Sequence, residues 1–147
     1  MEVLLWAVGA AVGVAVAIVL IGTLVGRSLP QGHVASRTTT FHRAPDEVWA
    51  AINDPTIMRA RGVGDVKMEV VESVPQRRLV RRIVGEKDFG GTWTCEIVPT
   101  SSGTVLTITE NGEVYNPFFR FVSRHVVGHH RTMDGVIHHL HRLFGEA

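Results

Sequence analysis

The feature that most restricts this chain is a run of 23 residues, Val3 to Val25, with no charged side chain and Thr23 as its sole polar one. At 1.5 Å per residue such a run makes about 35 Å of helix, enough to cross a hydrocarbon layer of about 30 Å with some tilt. A helix suits that setting because it satisfies its own backbone hydrogen bonds where water is absent. A buried core helix is seldom so long and so uniformly apolar. A cleavable signal peptide opens with positive charge and has a shorter apolar stretch, whereas only Met1 and Glu2 precede this run. The sequence therefore predicts a transmembrane anchor over 3–25, a linker over 26–34 and one folded domain over 35–145.

Arg27, Arg37 and Arg43 follow the anchor and nothing basic precedes it. The positive-inside bias then predicts a single-pass protein of the cell membrane with its C-terminal domain in the cytoplasm. The single cysteine, Cys95, has no partner for an internal disulfide, which fits a reducing compartment. Within the anchor, Gly9 and Gly13, extended by Ala17, and Gly22 and Gly26 are small residues four apart. Such pairs let helices approach closely, so a homodimer through the anchor is one expectation; the plainer one is that glycine and alanine are common in membrane helices.

Beyond the anchor lie roughly 115 residues, one domain's worth. The formal net charge of +1 gives no broad field for recruiting nucleic acid. Arg77, Arg78, Arg81 and Arg82 read as a solvated strand face, with anionic lipid headgroups as the alternative contact. Ala35 to Phe41 reads as a strand, and Pro45-Asp46-Glu47 opens a short helix that Asn53-Asp54-Pro55 ends. Thr56 to Asp65 is a loop or a broken second helix. Four strands follow at Lys67–Val74, Arg78–Val84, Thr92–Val98 and Thr104–Val114, the last two alternating apolar and polar residues as half-buried strands do. Asn116-Pro117 then starts a helix that Gly145 stops. Val122, Val126, His129, Met133, Ile137, Leu140 and Phe144 fall along one face of it, predicting one long helix to about Phe144. The order describes an α+β domain, a curved antiparallel sheet of about five strands laid against a long C-terminal helix.

The segment Ala44-Pro45-Asp46-Glu47-Val48-Trp49 resembles the first helix opening of the SRPBCC superfamily of START-like, Bet v 1-like and polyketide cyclase-like domains. ESVPQRRL (72–79), FGGTWT (89–94) and LTITENGEVY (106–115) are similar to its strand motifs, and NPFFRFVSR (116–124) to the entry of its last helix. The resemblance implies a helix-grip fold whose sheet and last helix enclose a cavity for hydrophobic molecules. The family usually has seven strands; here only Thr56 to Val66 fills the interval where a second helix and two strands would stand, which implies a cavity shorter or open on that side. No catalytic residue and no cofactor are implied.

Strand alternation and helix periodicity point Trp93, Leu106, Ile108, His129, Met133 and Ile137 into the shared space, making them the candidate ligand-binding residues. His129 is either a satisfied core histidine or a group that hydrogen-bonds a ligand or exchanges a proton with it. Six of the eight histidines lie between His125 and His141, and His130, Asp134 and His138 are spaced for neighbours to share a metal ion. One helix face seldom completes a coordination shell, so no metal is expected. Phe118, Phe119, Phe121, Val122, Val126 and Val127, with Arg120 and Arg124, are either core packing or a surface that dips into the bilayer interface. The expected function is membrane-tethered binding or transfer of a lipid, isoprenoid or quinone. A cyclase- or dehydratase-like enzyme and a ligandless protein-interaction module are the alternatives.

Overall fold

The computed structural model of the chain describes residues 1–56 and 66–146. Helix α1 spans Glu2–Ser28, 27 residues or about 40 Å, and everything from Met1 to Ile21 is exposed. It is long and apolar enough to cross a membrane. Strand β1 (Gly32–Phe41) follows after three residues, so the stretch read as a linker is helix through Ser28 and strand from Gly32. The short helix α2 (Pro45–Asn53) has proline in its first turn, and Glu47 accepts a hydrogen bond from the Ala44 N–H at 3.1 Å. The ambiguous segment Thr56 to Asp65 lies, apart from Thr56, outside the described residues.

Strands β2 (Lys67–Val74), β3 (Arg78–Val84), β4 (Phe89–Thr100) and β5 (Gly103–Val114) complete a five-stranded sheet in the order β1-β5-β4-β3-β2. The pairings are antiparallel throughout, and β5 pairs with both β1 and β4 along its length. Period two is strict on β5, where Thr104, Leu106, Ile108, Gly112 and Val114 are buried and Glu110 is in phase with them. The sheet's inner face meets α2 through Val48, Ala51 and Ile52, and the last helix through Met133, Val136 and Leu140. That core is solid: Phe41, Val48, Leu106, Met133 and Leu140 are wholly buried.

The C-terminal helix is not continuous. It divides into α3 (Pro117–Val122), a π-helical turn (Ser123–Val127) and α4 (Arg131–Phe144). Its two ends are as the sequence indicates. The Asn116 carboxamide accepts from the Phe118 and Phe119 N–H groups at 2.9 and 3.3 Å, and Gly145 leaves the helix at φ 70°. The break falls at Gly128, whose φ of 78° and ψ of 146° suit glycine alone, directly after the β-branched pair Val126-Val127. It has a physical cause, because the two halves pack on different surfaces. α4 lies on the sheet, while α3 lies on the last turns of α1, where Gly22 and Gly26 are the only buried residues of that helix. The apolar stripe expected from Val122 to Phe144 is therefore interrupted. Val126 is 70% exposed, and His129 sits in the connection rather than on a helix face.

Arg81 departs from the solvated face expected for its cluster. It is half-buried and donates to the Ile52 carbonyl at 2.9 Å, whereas Arg78 pairs outside with Glu72 and Glu96.

Candidate functional site

A cavity of about 570 Å³ lies between the inner face of the sheet and the broken stretch of the last helix. Met68, Ile83, Phe89, Trp93 and Val114 supply apolar wall from the sheet; Phe119, Val122 and Val127 supply it from α3 and the π-helical turn. The space exists because the chain detours here: α3 leans towards α1 instead of continuing α4 down onto the sheet. Phe119 and Val127, 44% and 45% exposed, stand at its rim.

Of the six candidate ligand-binding residues, the structure brings Trp93 and His129 to this cavity. Leu106, Ile108 and Met133 belong to the solid core beside it, and Ile137 packs against that core. Their inward direction is as alternation indicates. They do not share a space with the others, because α4 closes directly onto β5 and β1 at their level.

Two residues that the sequence reading passed over line the cavity with them. His33, on β1 in phase with Ala35, sits opposite Gly112 of β5; Glu110 sits opposite Trp93 of β4. The His33 and His129 rings stack with centroids 3.8 Å apart and planes 24° from parallel. The His33 Nε2 lies 3.8 Å from the Glu110 carboxylate, and both side chains are largely buried. Burial lowers the pKa of His33 below the ordinary histidine value, helped by His129 alongside. His129 is lowered too, by burial first and then by Arg124 and His130. Burial raises Glu110 above the usual carboxylate range, with hydrogen bonding from Trp93 pulling the other way. The cavity thus combines apolar walls with one desolvated carboxyl and two imidazoles biased to the neutral form.

His141 serves elsewhere. His141 Nε2 and the Thr39 hydroxyl are 2.9 Å apart, and the His141 ring leans on Phe41. Asp134, spaced for a metal site with His130 and His138, instead accepts a 2.6 Å hydrogen bond from Arg37. Among the described residues no three histidine, cysteine or acidic side chains converge on a metal position. Cys95 is buried in the core, and desolvation pushes its thiol up to about 11.

Neither a family profile nor a curated protein sequence matches the chain. Solved structures do. The di-domain ARO/CYC StfQ from the steffimycin biosynthetic pathway superposes with a TM-score of 0.58 at 14% identity, over 79% of this chain and 52% of that one. CalU16 from Micromonospora echinospora gives 0.51 at 17% identity, over 82% and 87% of the two chains. Protein MLL2253 from Mesorhizobium loti gives 0.55 at 15%, over 75% and 98%. At these identities the likeness concerns the fold. The chain has a helix-grip-like fold with a five-stranded sheet, similar to that of aromatase/cyclase-type proteins, behind a long apolar N-terminal helix.

Proposed function

We propose that this protein is a membrane-tethered binder of an apolar small molecule, such as a lipid, an isoprenoid or a quinone, held between the sheet and the broken helix. One observation carries the reading: α3 packs on Gly22 and Gly26 of α1 with one side and lines the cavity through Phe119 and Val122 with another. If α1 spans the bilayer, those glycines lie at its boundary and the rim of the cavity faces the lipid. The exposed Phe119, Val126 and Val127 then sit at headgroup depth, where aromatic and aliphatic side chains are comfortable. With Arg27 and Arg43 on the same side, that boundary is the cytoplasmic one. Tethering raises the concentration of the site near a membrane-dissolved ligand.

The test has two arms. Full-length protein stays in the membrane pellet through a carbonate wash; release by carbonate ends the anchored reading. Native mass spectrometry of the detergent-purified chain finds a bound apolar molecule that is lost on Val122→Trp, which fills the cavity from α3. No adduct in the unaltered protein, together with no saturable binding of a neutral lipophilic probe, ends the binding reading and leaves an interaction module.

A second reading, a cyclase-like enzyme, is favoured by the carboxyl and the imidazole pair in the cavity and by the likeness to StfQ. It requires turnover of a bound substrate that is lost with Glu110→Gln.

A further inference from the structure

We propose that the inner end of the cavity recognises a ligand whose apolar body carries a non-anionic, hydrogen-bond-donating head, a hydroxyl or an ammonium, with Glu110 as its acceptor. The inference rests on the binding function above and narrows it to a class of head group.

Three neighbouring strands build this end of the cavity. Trp93 and Glu110 face each other across β4 and β5, and two residues further along β5 His33 faces Gly112 from β1. Period two places all of them on the inner face. Gly112 is part of the construction, because a Cβ there would strike the His33 ring. His129, delivered by the helix break, then closes over His33 by stacking.

The Glu110 side chain is 18% exposed, and the one basic side chain within 4 Å of its carboxylate among the described residues is His33 at 3.8 Å, too far for a hydrogen bond. A carboxylate has room for about four hydrogen bonds, so a donor from the Trp93 indole leaves most of its capacity free. A ligand hydroxyl can donate to Glu110 and accept from an imidazole N–H. An ammonium can pair with Glu110 outright.

Anions have no such welcome. Among the described residues no lysine or arginine lines the cavity, whereas Asp88 and Glu113 do, in addition to Glu110. Arg120 and Arg124 border a separate small recess that reaches His33 and His129. Arg120 is already committed, donating to the Leu29 and Tyr115 carbonyls at 2.9 and 3.0 Å. A carboxylate or phosphate head would lose its water to sit beside a like charge. An isoprenoid alcohol or a quinol fits this chemistry; a fatty acid or a prenyl phosphate does not.

The test uses the full chain in detergent micelles with Trp6→Phe and Trp49→Phe, which leaves Trp93 as the sole indole. Undecanol, undecylamine and undecanoate brominated at the sixth carbon share one chain and differ in the head, and the bromine sits near enough to the head to quench the Trp93 indole beside Glu110. The alcohol or the amine should quench saturably at a concentration at least about tenfold below that of undecanoate, a gap of about 1.4 kcal/mol. Whichever leads identifies the head. Glu110→Gln should narrow the gap to within about threefold, continued quenching by the alcohol showing that the variant keeps its cavity. Undecanoate binding as tightly as the alcohol, or a gap untouched by Glu110→Gln, overturns the proposal. No saturable quenching by any of the three would instead remove the cavity reading on which it stands.

Discussion

Three glycines of α1 offer a graded test of how the anchor meets the domain. A Cβ at Gly13 would meet nothing within 4 Å, and one at Gly22 would touch the Phe118 and Phe121 rings at 3.0–3.1 Å. One at Gly26 would run into the backbone carbonyl of Pro117, at the start of α3. Rings yield by small rotations, whereas a backbone carbonyl moves only with its helix. For Gly26→Ala, α1 and α3 must part by about 2 Å to restore ordinary carbon contacts. Overpacking of this kind costs about 1–3 kcal/mol. The separation also strains the Arg120 hydrogen bond to Leu29, and losing a charged hydrogen bond adds about 1.5–3 kcal/mol. The undocking cost should therefore be about 2.5–6 kcal/mol for Gly26→Ala, under about 1 for Gly22→Ala and near zero for Gly13→Ala. Hydrogen exchange of the full chain in micelles, followed over residues 117–127, reads this directly. Protection should fall steeply for Gly26→Ala, slightly for Gly22→Ala and not at all for Gly13→Ala. Equal protection in all three would refute the docking of α3 on α1. A loss confined to Gly13→Ala, accompanied by a change in oligomeric state, would point to a helix partner at the outer glycines instead.

Leu106→Ala removes a wholly buried side chain beside Met133 and should cost about 2–5 kcal/mol in denaturant unfolding, while leaving any probe bound in the neighbouring cavity. Met133→Trp should likewise destabilise the domain rather than fill the binding space, which would show as lower thermal stability with unchanged probe affinity. Cys95 should resist maleimide at neutral pH in the folded chain and react once the chain is unfolded, because its thiol is buried and its pKa is raised. His33 and His129 titrate lower in the folded chain than in the unfolded one, so protons favour the unfolded state as pH falls through about 6.5. Glu110, raised in the folded chain, has the opposite sign and offsets part of that loss. The melting temperature should accordingly drop on mild acidification and drop less in the His33→Gln, His129→Gln double variant.

Much of the scaffold could be read from residue order. The alternation of Leu106 and Ile108 with threonines located β5, and Asn116-Pro117 and Gly145 marked the outer limits of the last helix. The same rule carried two residues further reaches Glu110, and carried back along β1 from Ala35 it reaches His33. His33 lies before the apparent start of β1 at Ala35, and an acid in an apolar row carries no local sign of what it faces. The helix break was illegible for a different reason. A 3.6-residue period persists across Gly128, and a lone glycine in a helical pattern says nothing of the two surfaces pulling its flanks apart. The inward turn of Arg81 depends on a carbonyl at the end of α2, which no local pattern displays.

The last two turns of α1 are also a packing surface of the domain, which changes what can be exchanged at this junction. A simple leash may be swapped for any apolar helix of the right length. Here a substitute would need small residues at the two places where α3 lies down, and in the right phase. Without them α3 would lose its seat, and the wall it gives the cavity would shift with it. A chimaera carrying an unrelated anchor should still reach the membrane, yet hold its ligand poorly, until those two glycines are returned.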